Sequence, residues 1–456
     1  MAKVLVRFSQ SPNSSFSRQR PTIGSASRVT RREIPRAPTV VAPTARILRQ
    51  RPGIWFTAHP EVGRAGHGSH DDGHPVQCRH LSAVSSLFAR RVAHTVTGRR
   101  MPAAREESRQ MRVLFSPDVF VTQRFGGVSR YFAELHTELV KLGVDARLFS
   151  GLHDNAHLRG GRTLLGKLPL RPRLFLSGQA FRCYAAAQRA AHILHPTYYS
   201  AEAFGRGPHV CTFYDLIHHK YPGQFANDTT AERQRLWARR ADRIIAISHA
   251  TARDLVCMLG VPEKTISVIH LGVRVPRPRT QRQADDYVLY VGNRGGYKNW
   301  RIVVEALRDP QLRDLRLVCS GGGPATREEQ ALLESRRMAA RVTFVAADDV
   351  ALSRYYRGAL GLVYPSLYEG FGLPPLEAMA EGVPVVAARA ASIPEVVGDA
   401  ALLFDPREVD DLVQALRRLL DASIREGLQK RGPERARMFS WESTARKTAD
   451  VYRSLR

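Results

Sequence analysis

The sequence predicts an α/β protein of two doubly wound parallel-sheet domains facing across a cleft, with a disordered extension in front of them. Three observations carry this. From Met111 onward, short apolar strands alternate with amphipathic helices, the pattern of a parallel sheet covered on both faces. The alternation is broken once, by the Pro- and Arg-rich "GVRVPRPRTQRQADD" (272–286), and then resumes. Before Met111, segments such as "SQSPNSSFSRQRPTIGSASRVTRREIPRAP" show neither helical nor strand periodicity, and such a stretch buries too little apolar surface to offset its ordering entropy.

The elements follow in order. Residues 1–110 carry 19 Arg plus Lys against 6 Asp plus Glu, or +13, and Lys3 is the one lysine among them. They read as a basic disordered tail or as a start assigned ahead of Met111; the Arg/Ser bias also suits a transit peptide, but the length and scattered prolines fit that poorly. "RVLFSP" is a strand, and "GGVSRYFAELHTELVKLG" a helix with Tyr131, Leu135, Leu139 and Leu142 on one face and Gly143 at its end. "DARLFSG", "HVCTFYDL" and "DRIIAIS" are further strands, and Ser248 is placed to cap the helix "HATARDLVCMLG". Past the linker come "YVLYVGN", "LRLVCSGGG", "VTFVAA", "LGLVYPS" and "VPVVAA", each separated from the next by a helical pattern. The domains are thus 111–280 and 285–438, and a last helix within 439–456 is expected to pack back on the first.

The whole chain has 69 Lys plus Arg against 42 Asp plus Glu, a net +27. That suits nucleic acid, an anionic membrane or a phosphorylated substrate. Beyond residue 110 the excess falls to 27 − 13 = 14, and no nucleic-acid-binding module is evident, so nucleic acid is not the expected partner. The five cysteines form no CxxC pair, which argues against zinc or disulfides and for a reducing, cytoplasmic setting. No apolar run approaches the length of a membrane span, and no signal peptide is evident.

Chemistry concentrates at strand ends of the second domain. "RGGYKN" follows a strand and offers Arg294 and Lys298, a planar fork and a point charge suited to a diphosphate. "CSGGGP" permits close backbone approach but is common in α/β proteins. "YPSLYEGFGLPPLEAMAEGVPVVAA" carries Glu369 before a glycine turn and Glu377 eight positions later. Gly370 and Gly372 allow a sharp turn, Pro374 or Pro375 fits the first helical position, and the N–H groups of Phe371, Gly372 and Leu373 then face outward as an anion or hydroxyl cradle. Glu377 falls in the first turn, where a carboxylate can cap the helix or accept a ribose diol.

Glu369 and Glu377, with seven residues between them in that stretch, resemble the signature of family 4 retaining glycosyltransferases of the GT-B fold. "QRFGGVSRYFAEL", "HPTYYS", "YDLIHHKYP", "RRADRIIAIS", "VGNRGGYKN" and "FSWESTA" are similar to that family too, especially to its bacterial mannosyltransferase-like members. The resemblance covers essentially all of 111–456. It implies that Arg294 and Lys298, after Gly292 of "YVGN", bind the donor diphosphate. Glu377 would bind the nucleotide ribose. Glu369, with the backbone of Phe371, Gly372 and Leu373, would hold the sugar and β-phosphate. Gly126 and Gly127 match the glycine loop that meets the donor and acceptor. Many members carry His-Asp where this chain has Tyr214-Asp215; Asp215 matches, and the nearby His218 and His219 read as surface or structural.

The expected reaction moves a hexose, mannose first, from GDP-mannose or a UDP-sugar to a saccharide or lipid-linked saccharide in polysaccharide or lipopolysaccharide synthesis. Lys, Arg and N–H groups can stabilise the leaving diphosphate, and no Asp-x-Asp is present, so neither metal nor cofactor is expected. The basic, apolar "GKLPLRPRLFLSGQAFRCYAAAQRAA" (166–191) reads either as an amphipathic core helix or as an interfacial helix on an anionic inner membrane face. The rivals are a nucleotide-sugar epimerase, against which the two glutamates argue, and a basic nucleic-acid binder.

Overall fold

The computed structural model describes residues 112–158, 169–188, 192–200, 207–226, 228–276 and 285–455. The basic stretch 1–110, read above as an extension, and the centre of the linker lie outside the described residues.

All strand pairings are parallel among the described residues. In the first domain β1 (Arg112–Phe115) lies between β2 (Asp145–Leu148) and β3 (His192–His195). β4 (Val210–Phe213), β5 (Arg243–Ala246) and β6 (Ile266–Val268) continue in order, and a bridge from Leu194 to His209 connects the two sets. The second sheet holds β7 (Tyr287–Val291), β8 (Arg316–Ser320), β9 (Val342–Val345), β10 (Gly361–Tyr364), β11 (Val385–Ala388) and β12 (Leu402–Phe404). Its spatial order is β12-β11-β10-β7-β8-β9. β3, β4, β10 and β11 are buried along their full length, as central strands covered on both faces must be. The strand order reverses between β7 and β10, which is where an open α/β sheet leaves a crevice at its carboxyl edge. Lys298 follows β7 and Glu369 follows β10, so both hang from that switch point.

The helix Gly127–Lys141 buries Tyr131, Phe132, Leu135 and Leu139. Leu142, expected on the same stripe, is instead 38% exposed. The helix has ended there, and Gly143 at φ 78° turns the chain away. Ser248 does cap the helix His249–Leu259, its Oγ accepting from the Thr251 N–H at 3.0 Å.

The helix Trp441–Arg453 lies on the first domain. Trp441 meets Tyr131 with ring centroids 6.2 Å apart, and the Tyr452 hydroxyl is 2.7 Å from His195 Nδ1. One apolar core runs from the first sheet through Leu271, Phe371 and Phe439 to the inner face of the second sheet. The outer face has its own core around Trp300, Leu317 and Phe404. No helix among the described residues is long and apolar enough to cross a membrane.

Candidate active site at the seam between the sheets

Beyond β10 the chain turns against the first domain. A side chain at Gly370 would collide with the Tyr214 carbonyl and come within 3.0 Å of Asp215 Cβ, so only glycine permits this approach. Gly372, at φ 111°, is the N-cap of the helix Leu373–Ala380. The Ser392 hydroxyl reaches the carbonyls of Glu369 and Phe371 at 2.8 and 2.9 Å and fixes the loop. No described residue accepts from the N–H groups of Phe371, Gly372 or Leu373, and Pro374 and Pro375 contribute none. Three free donors at a helix start are an anion-facing set.

Lys298 Nζ donates to Glu369 Oε1 at 2.6 Å, with side chains 16% and 13% exposed. Burial alone would lower the Lys298 pKa. The charge and hydrogen bond of Glu369, with Tyr297 and Asp215, outweigh it and hold the ammonium above its usual range. Asp215, across the seam, accepts from the Ile217 N–H at 3.0 Å. Burial raises its pKa, with the Glu369 charge adding to that and Lys298 opposing it. Gly292, at φ 140°, leaves a gap that the Lys298 stem borders. From the first domain, Gly127 comes up against a Leu373 methyl, 3.5 Å from where a Cβ would stand; Gly126 is the N-cap of the helix that follows.

Glu377 differs from expectation. It is the fifth residue of its helix, not part of the first turn, because the helix begins at Leu373, ahead of both prolines. It caps nothing. Its Oε1 accepts from Arg130 Nη1 at 2.5 Å and its Oε2 from the Tyr356 hydroxyl at 3.2 Å. Burial pushes its pKa up, and Arg130 and Tyr356 draw it back only in part.

Arg294 is a second correction. Its side chain is 2% exposed. Nε and Nη2 donate to the Glu329 carboxylate at 2.9 and 3.1 Å, Nη1 to the Gly321 carbonyl at 2.5 Å, and Nη2 to the Pro324 carbonyl at 2.8 Å. The guanidinium also stands over Phe344. With these donors engaged by Glu329 and the glycine-rich loop after β8, the Arg294 side chain is turned into the protein and not presented at the surface.

Tyr214 is buried, its ring among Tyr131 and Tyr199 and its hydroxyl 3.4 Å from the Thr197 carbonyl. It offers the seam its backbone, not its phenol. His218 pairs with Asp228 at 3.2 Å and stacks on Phe225. His219 is held below its usual pKa by burial first, then by the charges of Arg235 and His218. Neither histidine stands in for an imidazole at position 214.

Sequence reasoning missed two features. Arg130 and Glu377 are 247 positions apart, so only its place just after the Gly126–Gly127 turn hinted at Arg130. Glu395 is the other. Its carboxylate accepts from the His249 N–H at 2.9 and 3.1 Å and from His270 Nε2 at 2.6 Å, tying the second domain to the start of the His249–Leu259 helix. The ligand-type atoms of His249, His270 and Glu395 lie within 4.8 Å of one another, yet both carboxylate oxygens are already engaged, and the group reads as a pin.

Comparison with known proteins agrees with this architecture. The family model described as glycosyltransferase family 4 matches residues 125–277, and glycosyl transferases group 1 matches 276–437. The chain is 34% identical over 227 residues to O-antigen chain mannosyltransferase B of Escherichia coli, covering 48% of this chain and 57% of that protein. It is 35% identical over 234 residues to the MMP alpha-(1->4)-mannosyltransferase of Mycolicibacterium hassiacum, covering 48% and 56%. It thus spans little more than half the length of these curated relatives. Among solved structures, the sucrose-phosphate synthase of Thermosynechococcus elongatus superposes with a TM-score of 0.61 at 25% identity, over 76% of this chain and 99% of that one. Two facing parallel sheets, a glutamate pair around a glycine turn at the seam, and family models that together run from 125 to 437 make this chain a member of glycosyltransferase family 4, with the GT-B fold.

Proposed function

We propose that the protein transfers a hexose, mannose as the first choice, from a nucleotide-diphosphate sugar to a saccharide or lipid-linked saccharide, with retention at the anomeric carbon and without a metal. The observation that carries this reading is the Lys298–Glu369 pair beside the three unpartnered N–H groups of Phe371, Gly372 and Leu373. An ammonium kept charged and a set of fixed donors face the place where a departing diphosphate would gain negative charge, and such preorganised donors are commonly the largest single contribution to catalysis. Glu369 would hold a sugar hydroxyl and Glu377 the ribose diol. With Asp215 coupled to Glu369 and Lys298 across the seam, a front-face reaction suits the set: the departing phosphate takes the acceptor hydroxyl's proton, and proximity supplies much of the rate. Mannose draws support from the two mannosyltransferase relatives. A membrane-borne acceptor draws support from the Leu170–Ala186 helix, where Leu170, Phe175 and Leu176 are exposed beside Arg171; the inner membrane face is the setting this implies.

A thermal-shift screen of GDP- and UDP-sugars identifies the donor, since a ligand of the native state raises Tm. Lys298→Ala is expected to lower turnover roughly 100-fold or more while leaving the fold intact. Near-wild-type turnover in that variant overturns the assignment, and NMR of the product anomer tests retention separately.

A further inference from the structure

We propose that Arg130 is a latch on the ribose-binding carboxylate: it holds Glu377 when no donor is bound, gives it up to the donor's diol, and then turns to the donor's diphosphate. The inference rests on the reading of Glu377 as the ribose acceptor.

The geometry sets up a competition. A ribose diol presents two adjacent O–H groups and needs both oxygens of one carboxylate. On Glu377 each oxygen already has one protein donor, Arg130 on Oε1 and Tyr356 on Oε2. The two donors differ in where they come from. Tyr356 lies on the helix Asp349–Gly358 of the same domain and is buried, so it approaches from inside and can keep one lone pair while the diol takes another. Arg130 comes from the first domain, in the first turn after the Gly126–Gly127 loop, and crosses the seam to reach the carboxylate. It occupies the cleft side, where the ribose would have to lie.

Displacing Arg130 strands a charge. The Arg130 side chain is 26% exposed, and a partly buried cation without a partner is costly. The ligand that displaces it carries its own anion: a nucleoside diphosphate places its phosphates next to the ribose, and a guanidinium fork matches phosphate oxygens well. The exchange therefore favours a complete nucleoside diphosphate over a bare nucleoside, and an empty cleft stays closed by an ion pair between the domains.

The test uses the full chain, its Arg130→Met variant and its Glu377→Gln variant. Calorimetry with guanosine and uridine, which lack phosphate, should show about tenfold tighter binding to Arg130→Met than to wild type, because the competitor is gone. With GDP and UDP that gain should vanish or reverse, because the diphosphate contact is lost. Hydrogen exchange without ligand should show the same faster exchange at the seam in both variants, and no further increase when they are combined. If Arg130→Met weakens nucleoside and diphosphate alike, Arg130 is an ordinary binding or structural residue and the latch is overturned. If the seam is unchanged in the unliganded variants, the latch is overturned on that ground alone. If wild type binds neither GDP nor UDP while the exchange result holds, the ion pair stands as an interdomain contact and the donor-site reading is what fails.

Discussion

At Gly370 one hydrogen atom in place of a side chain lets two domains touch. The loop that carries Glu369 runs against the Tyr214 carbonyl, and a methyl group there would overlap it. Gly370→Ala should therefore shift Glu369 and the N–H cradle by a fraction of an ångström to an ångström, and displacements of that size cost on the order of 100-fold in rate. Overpacking should take about 1–3 kcal/mol from stability. Steady-state turnover beside a melting curve checks both, and wild-type turnover would show that the seam can yield. At this scale the sequence was half legible. Glu369 and Lys298 could be named because residue type and strand-end position suffice to propose them, and Asp215 only through the family resemblance. The burial of Arg294 was not legible because a sequence displays donors but not the acceptors that engage them, and backbone carbonyls of Gly321 and Pro324 leave no mark in residue identity. Arg130 was missed for the complementary reason that its partner lies in another domain.

Elements show how side chains act through the segments they hold. Arg294 fastens the loop after β8 to the first turn of the helix Arg327–Ser335, where Glu329 also completes a capping box with Thr326. Lysine carries the charge but not the fork. Arg294→Lys should lose about 3 kcal/mol, with nucleotide affinity falling only as the loop loosens; an unchanged Tm with a large loss of GDP or UDP affinity would instead restore Arg294 to direct phosphate binding. Glu395 acts on the start of the His249–Leu259 helix. Burial pushes its carboxyl up, but the His270 hydrogen bond, the His249 N–H and the charges of both imidazoles outweigh that and hold it below the usual range. A depressed carboxyl stabilises the native state fully above the unfolded-state value and loses that contribution as pH falls through the native one. The stability gap between wild type and Glu395→Gln should thus close progressively as pH falls below about 4.3; a gap that does not vary with acid would remove the ionic role. Ser248 was readable as a cap from its place before a helical pattern, whereas the second capping group, Glu395, comes from a remote segment. Glu377 was placed one or two residues too close to the helix start because proline is favoured at the first helical position, while here the helix starts one residue before Pro374.

On the scale of the whole molecule, strand and helix alternation with one Pro- and Arg-rich interruption sufficed for two facing parallel sheets, because burial on both faces imposes continuous apolar runs. The pairing of the sheets was not written in any local pattern. It depends on close approaches such as Gly370 to Tyr214 and on a shared core through Phe371 and Phe439. Exposed apolar residues on the Leu170–Ala186 helix bear on how the molecule meets its surroundings. Vesicles containing anionic lipid should carry the protein upward in flotation, neutral vesicles should not, and Phe175→Ser with Leu176→Ser should abolish the effect. Equal flotation of the double variant would move membrane contact elsewhere.

The chain passes between the domains twice, outward after Val273 and back before Trp441, and the two passages are fastened together. The Val273 N–H donates to the Phe439 carbonyl at 3.0 Å, and Gly272 packs directly on Ser440 and Trp441. Two ropes knotted at one point allow swinging but not sliding. Opening of one domain against the other is therefore expected to take the form of a change in the angle between the domains about this junction, not of sliding. A spectroscopic ruler between one label on each domain would report that angle directly.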